Sequence, residues 1–280
     1  MHPLVRHIEN ELASVMPPSE AADVALWLAE ELSGFSRTML IMGKDSEKFS
    51  VEKIDVDYPR LPDALRRLKQ SEPLAYILGY VDWCGLRLKV NPSTLIPRPE
   101  TAELVDMVLD DTPNQPLSVA DLCTGSGCIA LALKHQRQAW DIVGTDLSEQ
   151  AVLTARQNML DNHLTVSFRT SDVLKESGQY DIVVSNPPYI PLSELSTVDE
   201  SVLRYEPRSA LFVSDNDPLL FYRTILENYK AKAYFFETYP PLLPLFYPMA
   251  EKHGLKISVK TDFAGKQRFV RLSADTDFRV

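Results

Sequence analysis

Apolar residues in the first 70 positions recur at steps of three and four, in "LVRHIENELASV" (4–15), "SEAADVALWLAEELS" (19–33) and "LPDALRRLKQ" (61–70). That is the period of helices that bury one face. Strand-like alternation is nearly absent there, so a small helical domain is predicted over 1–72. Ser19, with the acids Glu20 to Asp23 behind it, and Asp45 read as N-terminal caps. Between 73 and 97 the pattern breaks into short extended pieces punctuated by Gly79, Gly85 and the Asn91-Pro92 step, which predicts a hairpin linker. "PETAELVDMVLDD" (99–111) then reads as an amphipathic helix with Pro99 at its first position.

From 98 to 280 the period switches back and forth. Strand patterns at "LSVADLC" (117–123), "DIVGTDL" (141–147), "TVSFRTSD" (165–172), "YDIVVSN" (180–186) and "AYFFETY" (233–239) alternate with helical ones, which predicts a parallel sheet covered by helices on both faces. "LKISVKTD" and "QRFVRLSA" are joined only by "FAGK", a connection so short that these last strands must be antiparallel neighbours. The four prolines of "YPPLLPLFYP" (239–248) should shorten or kink the helix after the fifth strand.

Composition narrows the function classes. Apolar content of 45% and charged content of 24% are those of an ordinary globular protein. The start lacks an apolar leader and no run of 18 apolar residues occurs, so a soluble, cytoplasmic protein with no membrane partner is expected. A formal charge of −10 argues against binding bulk nucleic acid, whose affinity is built on Lys and Arg, and suits a cationic or protein ligand. Cys84, Cys123 and Cys128 show no CxxC spacing and the five histidines no i, i+4 pairing, so no metal is expected and the thiols read as buried and inert.

The candidate chemistry lies at strand ends. The first strand runs into Asp121, Cys123, Thr124, Gly125, Ser126 and Gly127 and then directly into an apolar helix. Glycines at such a bend let a ligand approach the backbone and meet the free N–H groups of the helix start. Asp146 ends the second strand about 20 residues on, where an acid can take the two hydroxyls of a ribose, and Asp172 follows the third. All of these face one crevice at the carboxyl edge of an open α/β sheet, which implies an adenosine compound. The turn by itself is compatible with both NADH and S-adenosylmethionine.

"SNPPYI" (185–190) follows the fourth strand at the same edge. Pro187 and Pro188 stiffen the corner and leave its carbonyls free to accept. A planar NH2 is a poor nucleophile because its lone pair is delocalised. Two acceptors, the Asn186 side-chain oxygen and the Pro187 carbonyl, can hold its hydrogens, while Tyr189 offers a flat face. The corner therefore points to methyl transfer onto such a nitrogen by positioning and electrostatics.

The stretch 72–106, "DLCTGSGCIALAL", "GTDLS" (144–148), "SNPPYIP" (185–191), "YEPRSAL" (205–211) and "DFAGKQRFV" (262–270) together resemble the HemK/PrmC family of N5-glutamine methyltransferases. The resemblance implies a class I S-adenosylmethionine-dependent, Rossmann-like methyltransferase sheet with an antiparallel last strand, preceded by an N-terminal helical substrate-binding domain. It implies as substrate the glutamine of the GGQ motif in peptide chain release factors, with a monomeric enzyme as the expectation. Cys123 to Gly127 would lie along the methionine and ribose of S-adenosylmethionine, Asp146 on the ribose, and Asp172 and Val173 beside the adenine. Asn186, Pro187, Pro188 and Tyr189 would hold the amide, with Arg98, Pro99 and Glu100 closing the near side. Many relatives carry glycine at position 123, and a cysteine there also resembles the ribosomal protein L3 glutamine methyltransferases. A DNA adenine N6-methyltransferase would need a basic cleft that this charge disfavours. A non-catalytic release-factor-binding scaffold leaves the acceptor pair of the corner unexplained.

Overall fold

The computed structural model describes residues 1–44 and 50–274, so the expected cap at Asp45 lies outside the described residues. The chain divides into two compact units, Met1–Leu78 and Gly79–Val280. This boundary falls later than the predicted one because Leu74–Leu78 is a helical turn and not an extended piece.

In the first unit, helices Pro3–Leu12, Pro18–Ser33 and Leu61–Leu68 stand where the periodicity places them, joined by the shorter Arg37–Met42 and Ile54–Asp57. Leu4, Val5, Ile8 and Leu12 bury one side of the first helix against a core that includes Ala21, Ala25, Leu28 and Ala29 of the second. Ser19 is not a cap. The second helix opens one residue earlier at Pro18, with Pro17 before it and no side-chain capping bond. Proline suits that place because its missing N–H would have had no helical partner.

The second unit is built on a seven-stranded sheet. Its strands are β1 (Ser118–Leu122), β2 (Asp141–Asp146), β3 (Ser167–Thr170), β4 (Ile182–Ser185), β5 (Ala233–Glu237), β6 (Lys256–Thr261) and β7 (Gln267–Ser273). The spatial order is β6-β7-β5-β4-β1-β2-β3. The pairs from β5 to β3 are parallel, while β7 lies antiparallel to both β5 and β6. The hairpin Tyr80–Trp83 with Leu86–Lys89 precedes the sheet as predicted.

The central strands read as continuous apolar runs because both faces are covered. Val119, Ile182, Val184 and Phe235 enter one core, and Ala120, Val183, Tyr234 and Phe236 enter the other. The proline-rich segment departs from expectation in where its prolines fall. Pro240 and Pro241 form a 3-10 turn and Pro244 sits in the first turn of helix Leu243–Lys252, where each is tolerated. Pro248 alone lies inside the helix.

Candidate active site

Register brings the candidate residues together. Leu122 of β1 pairs with Ser185 of β4 on one side and Thr145 of β2 on the other, and Ser185 pairs in turn with Phe236 of β5. The next residue on each strand, Cys123, Asn186, Asp146 and Glu237, therefore stands in one row along the carboxyl edge, strands being about 4.8 Å apart. A cavity of about 400 Å³ opens at this edge, within the range of small-molecule sites.

Cys123, Thr124, Gly125, Ser126, Asp146, Asp172, Val173, Asn186, Pro188 and Arg98, all expected at the site, line the cavity. Asp121, Gly127, Pro187, Tyr189 and Glu100 do not. Asp121 lies underneath: it is fully buried, and its Oδ2 accepts from Thr124 Oγ1 and from the Ala130 N–H at 3.1 Å. It shapes the turn from behind. Burial pushes its carboxyl up to about 7 against those two hydrogen bonds.

Asp146 holds the turn from the front. Its Oδ2 accepts from the Gly125 N–H and its Oδ1 from the Ser148 N–H, both at 2.9 Å. Burial raises its carboxyl above the usual range and these backbone bonds pull it back. Each oxygen keeps a lone pair for a further donor. Gly125 has φ +56, and a Cβ there would meet nothing within 4 Å, so the backbone is open to a ligand at this point. Cys123 takes the left-handed φ of +62. The three cysteines are half-buried and not fully buried as expected, and Cys123 and Cys128 line the cavity. Desolvation raises the thiols of Cys84, to about 11, and Cys128, to about 12, and raises Cys123 further, which favours the protonated form of each at neutral pH. At Asp172, a hydrogen bond from Lys175 and another from the Leu174 N–H hold the carboxyl below its ordinary value.

At the corner, Asn186 Nδ2 donates to Thr101 Oγ1 at 3.3 Å. Neither Asn186 Oδ1 nor the Pro187 carbonyl accepts a hydrogen bond among the described residues. Tyr189 turns away: its ring packs on the core and its hydroxyl donates to Glu237 Oε1 at 3.1 Å. Arg98 is also engaged, with Glu206 Oε1 at 2.6 Å, while Glu206 Oε2 accepts from the Ile96 N–H at 3.1 Å. Glu206 thus pins the segment that carries Pro97 and Arg98 to the cavity wall.

The methyltransferase small domain family matches residues 101–203, and the PrmC N-terminal domain family residues 4–79. A release factor glutamine methyltransferase of Bacteroides thetaiotaomicron is 37% identical over 231 residues, covering 81% of each chain. One from Flavobacterium psychrophilum is 32% identical over 276 residues, covering 94% of this chain and 95% of its own. The chain belongs to the release factor glutamine methyltransferase family. Among solved structures, the hMettl16 catalytic domain in complex with MAT2A 3′UTR hairpin 6 is similar in fold, with a TM-score of 0.54 at 15% identity over 81% of this chain and 83% of that one. The sheet has the fold of the class I S-adenosylmethionine-dependent methyltransferases, and the chain is a methyltransferase.

Sequence reasoning missed several residues that build the candidate site. Thr101 lines the cavity beside Asn186. Glu237 receives both Thr101 and Tyr189. Asn158, fully buried, donates to the carbonyls of Ser126 and Lys89 at 2.9 and 3.0 Å and accepts from the Lys89 N–H, tying the glycine turn to the hairpin. The available signal was an acid or amide at an otherwise apolar position, as in "YFFE" at 234–237. A buried polar group of that kind must find a partner.

Proposed function

We propose that this chain transfers a methyl group from S-adenosylmethionine to the side-chain amide nitrogen of the GGQ glutamine in peptide chain release factors. The observation that carries the reading is Asn186, a cavity-wall amide whose NH2 is tied back to Thr101 and whose oxygen is left as an open acceptor. A substrate amide NH2 needs acceptors at its hydrogens if its nitrogen is to leave planarity. Asn186 Oδ1 is one such acceptor and the Pro187 carbonyl is proposed as the second. Because neither must reorganise, their stabilisation is greatest where charge develops on the nitrogen.

The residues present fit the proposed cofactor. Asp146 would receive the ribose hydroxyls on its remaining lone pairs, the open face of Gly125 would admit the ligand against the turn, and Asp172 and Val173 would border the adenine. When bound, S-adenosylmethionine supplies an electrophilic methyl on a sulfonium. The first unit, Met1–Leu78, is proposed to bind the protein substrate, consistent with its match to the PrmC N-terminal domain family. No helix among the described residues is long and apolar enough to cross a membrane. We take the enzyme to act as a cytoplasmic monomer.

The test is incubation with methyl-labelled S-adenosylmethionine and purified release factors, followed by peptide mapping. Label on the GGQ glutamine is expected. Label on ribosomal protein L3 or on DNA adenine in parallel reactions, with none on release factors, would overturn the substrate assignment.

A further inference from the structure

Glu237 ends β5 and is 1% exposed, directly after the buried Phe235 and Phe236. A carboxylate there is costly to desolvate, and an apolar residue would fill the place at less cost to stability. Each of its side-chain oxygens meets one hydroxyl. Thr101 Oγ1 donates to Oε2 at 2.7 Å and Tyr189 Oη donates to Oε1 at 3.1 Å. Neither hydroxyl belongs to a residue outside the corner and its flanking helix Pro99–Asp111.

With Glu237 ionised, the polarity of this chain of bonds has one solution. An ionised carboxylate only accepts, so the single hydrogen of the Thr101 hydroxyl is committed to Glu237. Towards Asn186 the Thr101 oxygen can then only accept. The end of the Asn186 amide that meets it must be the donor, Nδ2, and the other end, Oδ1, becomes the open acceptor. An asparagine amide has nearly the same shape when turned over, so packing alone does not choose between its two orientations. In the wrong one, the enzyme's NH2 would confront the substrate's NH2, donor against donor.

We infer that Glu237, acting through the Thr101 hydroxyl, is a positioning residue that makes Asn186 present its oxygen and not its NH2 to the substrate amide. This rests on the amide-methylation reading above. Burial, with the nearby charge of Glu100, raises the Glu237 carboxyl above its ordinary value; the hydrogen bonds from Thr101 and Tyr189 and the charge of Arg268 only partly offset this, and they are the groups that sustain the ionised acceptor. The same carboxylate restrains Tyr189, so a single buried group orders both ends of the Asn-Pro-Pro-Tyr corner.

The experiment measures single-turnover methyl transfer to a release factor at saturating S-adenosylmethionine, beside calorimetric affinities for S-adenosylmethionine. The variants are Thr101→Val, Thr101→Ser, Glu237→Met, Asn186→Ala and the Thr101→Val/Asn186→Ala pair. Thr101→Val keeps the shape and removes the hydroxyl, so its rate should fall about 10- to 100-fold, the scale of a misplaced reacting group. Its affinity for S-adenosylmethionine, and the release-factor concentration that half-saturates its single-turnover rate, should stay within about threefold, placing the loss in the chemical step. Thr101→Ser, which restores the hydroxyl, should recover most of the rate. Glu237→Met frees that hydroxyl to donate to Asn186 Oδ1 and should be slow in the same way. In the Asn186→Ala background, Thr101→Val should cost nothing further, because no amide remains to be oriented.

If Asn186→Ala is slow but Thr101→Val runs at the wild-type rate, the relay is refuted while the methylation reading stands. Multiplying losses in the double variant refute the relay equally. If Asn186→Ala itself methylates normally, the corner reading fails and the relay with it. Should Glu237→Met not fold, the Thr101 series decides alone.

Discussion

Two alanines placed two residues apart in the glycine turn should fail in different ways. Both Gly125 and Gly127 have positive φ, +56 and +82, so either substitution carries the strain of a left-handed side chain, about 1–2 kcal/mol. Their surroundings differ. A Cβ on Gly127 would lie 2.9 Å from Phe168 Cζ and 3.0 Å from Ala155 Cβ, and both of those side chains are buried. Overpacking of that kind adds about 1–3 kcal/mol. A Cβ on Gly125 meets no atom within 4 Å and projects into open space at the cavity.

Gly125→Ala should therefore melt about 2–8 °C below the wild type, and Gly127→Ala about 2–12 °C lower still, at about 2–4 °C per kcal/mol for a domain of some 200 residues. Binding should rank the other way. The Gly125→Ala methyl stands where the cofactor would lie against the turn, and S-adenosylmethionine affinity should drop about tenfold or more, since a misfit methyl costs about 1–3 kcal/mol. Gly127→Ala should bind nearly as the wild type below its melting temperature. Differential scanning calorimetry and titration calorimetry on the same preparations separate the two effects. Wild-type affinity in Gly125→Ala would refute the proposed ligand path, and equal melting temperatures would refute the claim that Phe168 limits the space.

Asp146→Asn leaves one amide hydrogen facing either the Gly125 or the Ser148 N–H, so S-adenosylmethionine affinity should fall by about 1–3 kcal/mol; an unchanged dissociation constant would sink the ribose assignment. The Asp121 carboxyl is raised to about 7 in the folded protein from 3.8, so the folded state holds the proton more tightly than the unfolded chain. Its stabilisation is complete below about pH 4 and lost as pH rises through 7, about 3–4 kcal/mol across that window. Urea unfolding at pH 5 and pH 8 should show this slope in the wild type but not in Asp121→Asn, and parallel slopes would refute it. Pro248→Ala should stabilise: an interior proline costs about 3 kcal/mol and the more flexible unfolded chain returns about 1, which leaves about 2 kcal/mol. Pro248 is exposed, so no packing is disturbed, and a melting temperature that fails to rise would refute the estimate.

Much of the fold, and the placement of part of the candidate site at one cavity, were legible in the residues. The periods of 3.6 and 2 separated the helical unit from the α/β unit, and the short Gly265 connection predicted the antiparallel β6–β7 pair. The glycine turn, Asp146 and Asn186 were legible because their meaning is local: each stands at a strand's carboxyl end, and that edge is where open α/β sheets bind ligands. Tyr189 was expected to offer its ring as a platform, but the partner that holds its hydroxyl, Glu237, lies 48 residues on. Arg98 was expected on the substrate, yet its partner Glu206 is 108 residues away. Neither pairing has a periodic or motif signature.

The sequence by itself determined what local physics can encode: element types, the order of strands and helices, the stiffness of the Asn-Pro-Pro corner and the conformational freedom of the turn. Only the tertiary structure decided which polar groups share a hydrogen. Register aligned Cys123, Asp146, Asn186 and Glu237 along one edge, and the helix Pro99–Asp111 brought Thr101 to Glu237 across 136 residues of chain. A buried acid in an apolar strand announces that it needs partners. Which partners, and therefore which end of Asn186 is left open, depends on distances that exist only after the sheet has formed, because hydrogen bonds act over about 3 Å in space and carry no trace in sequence separation.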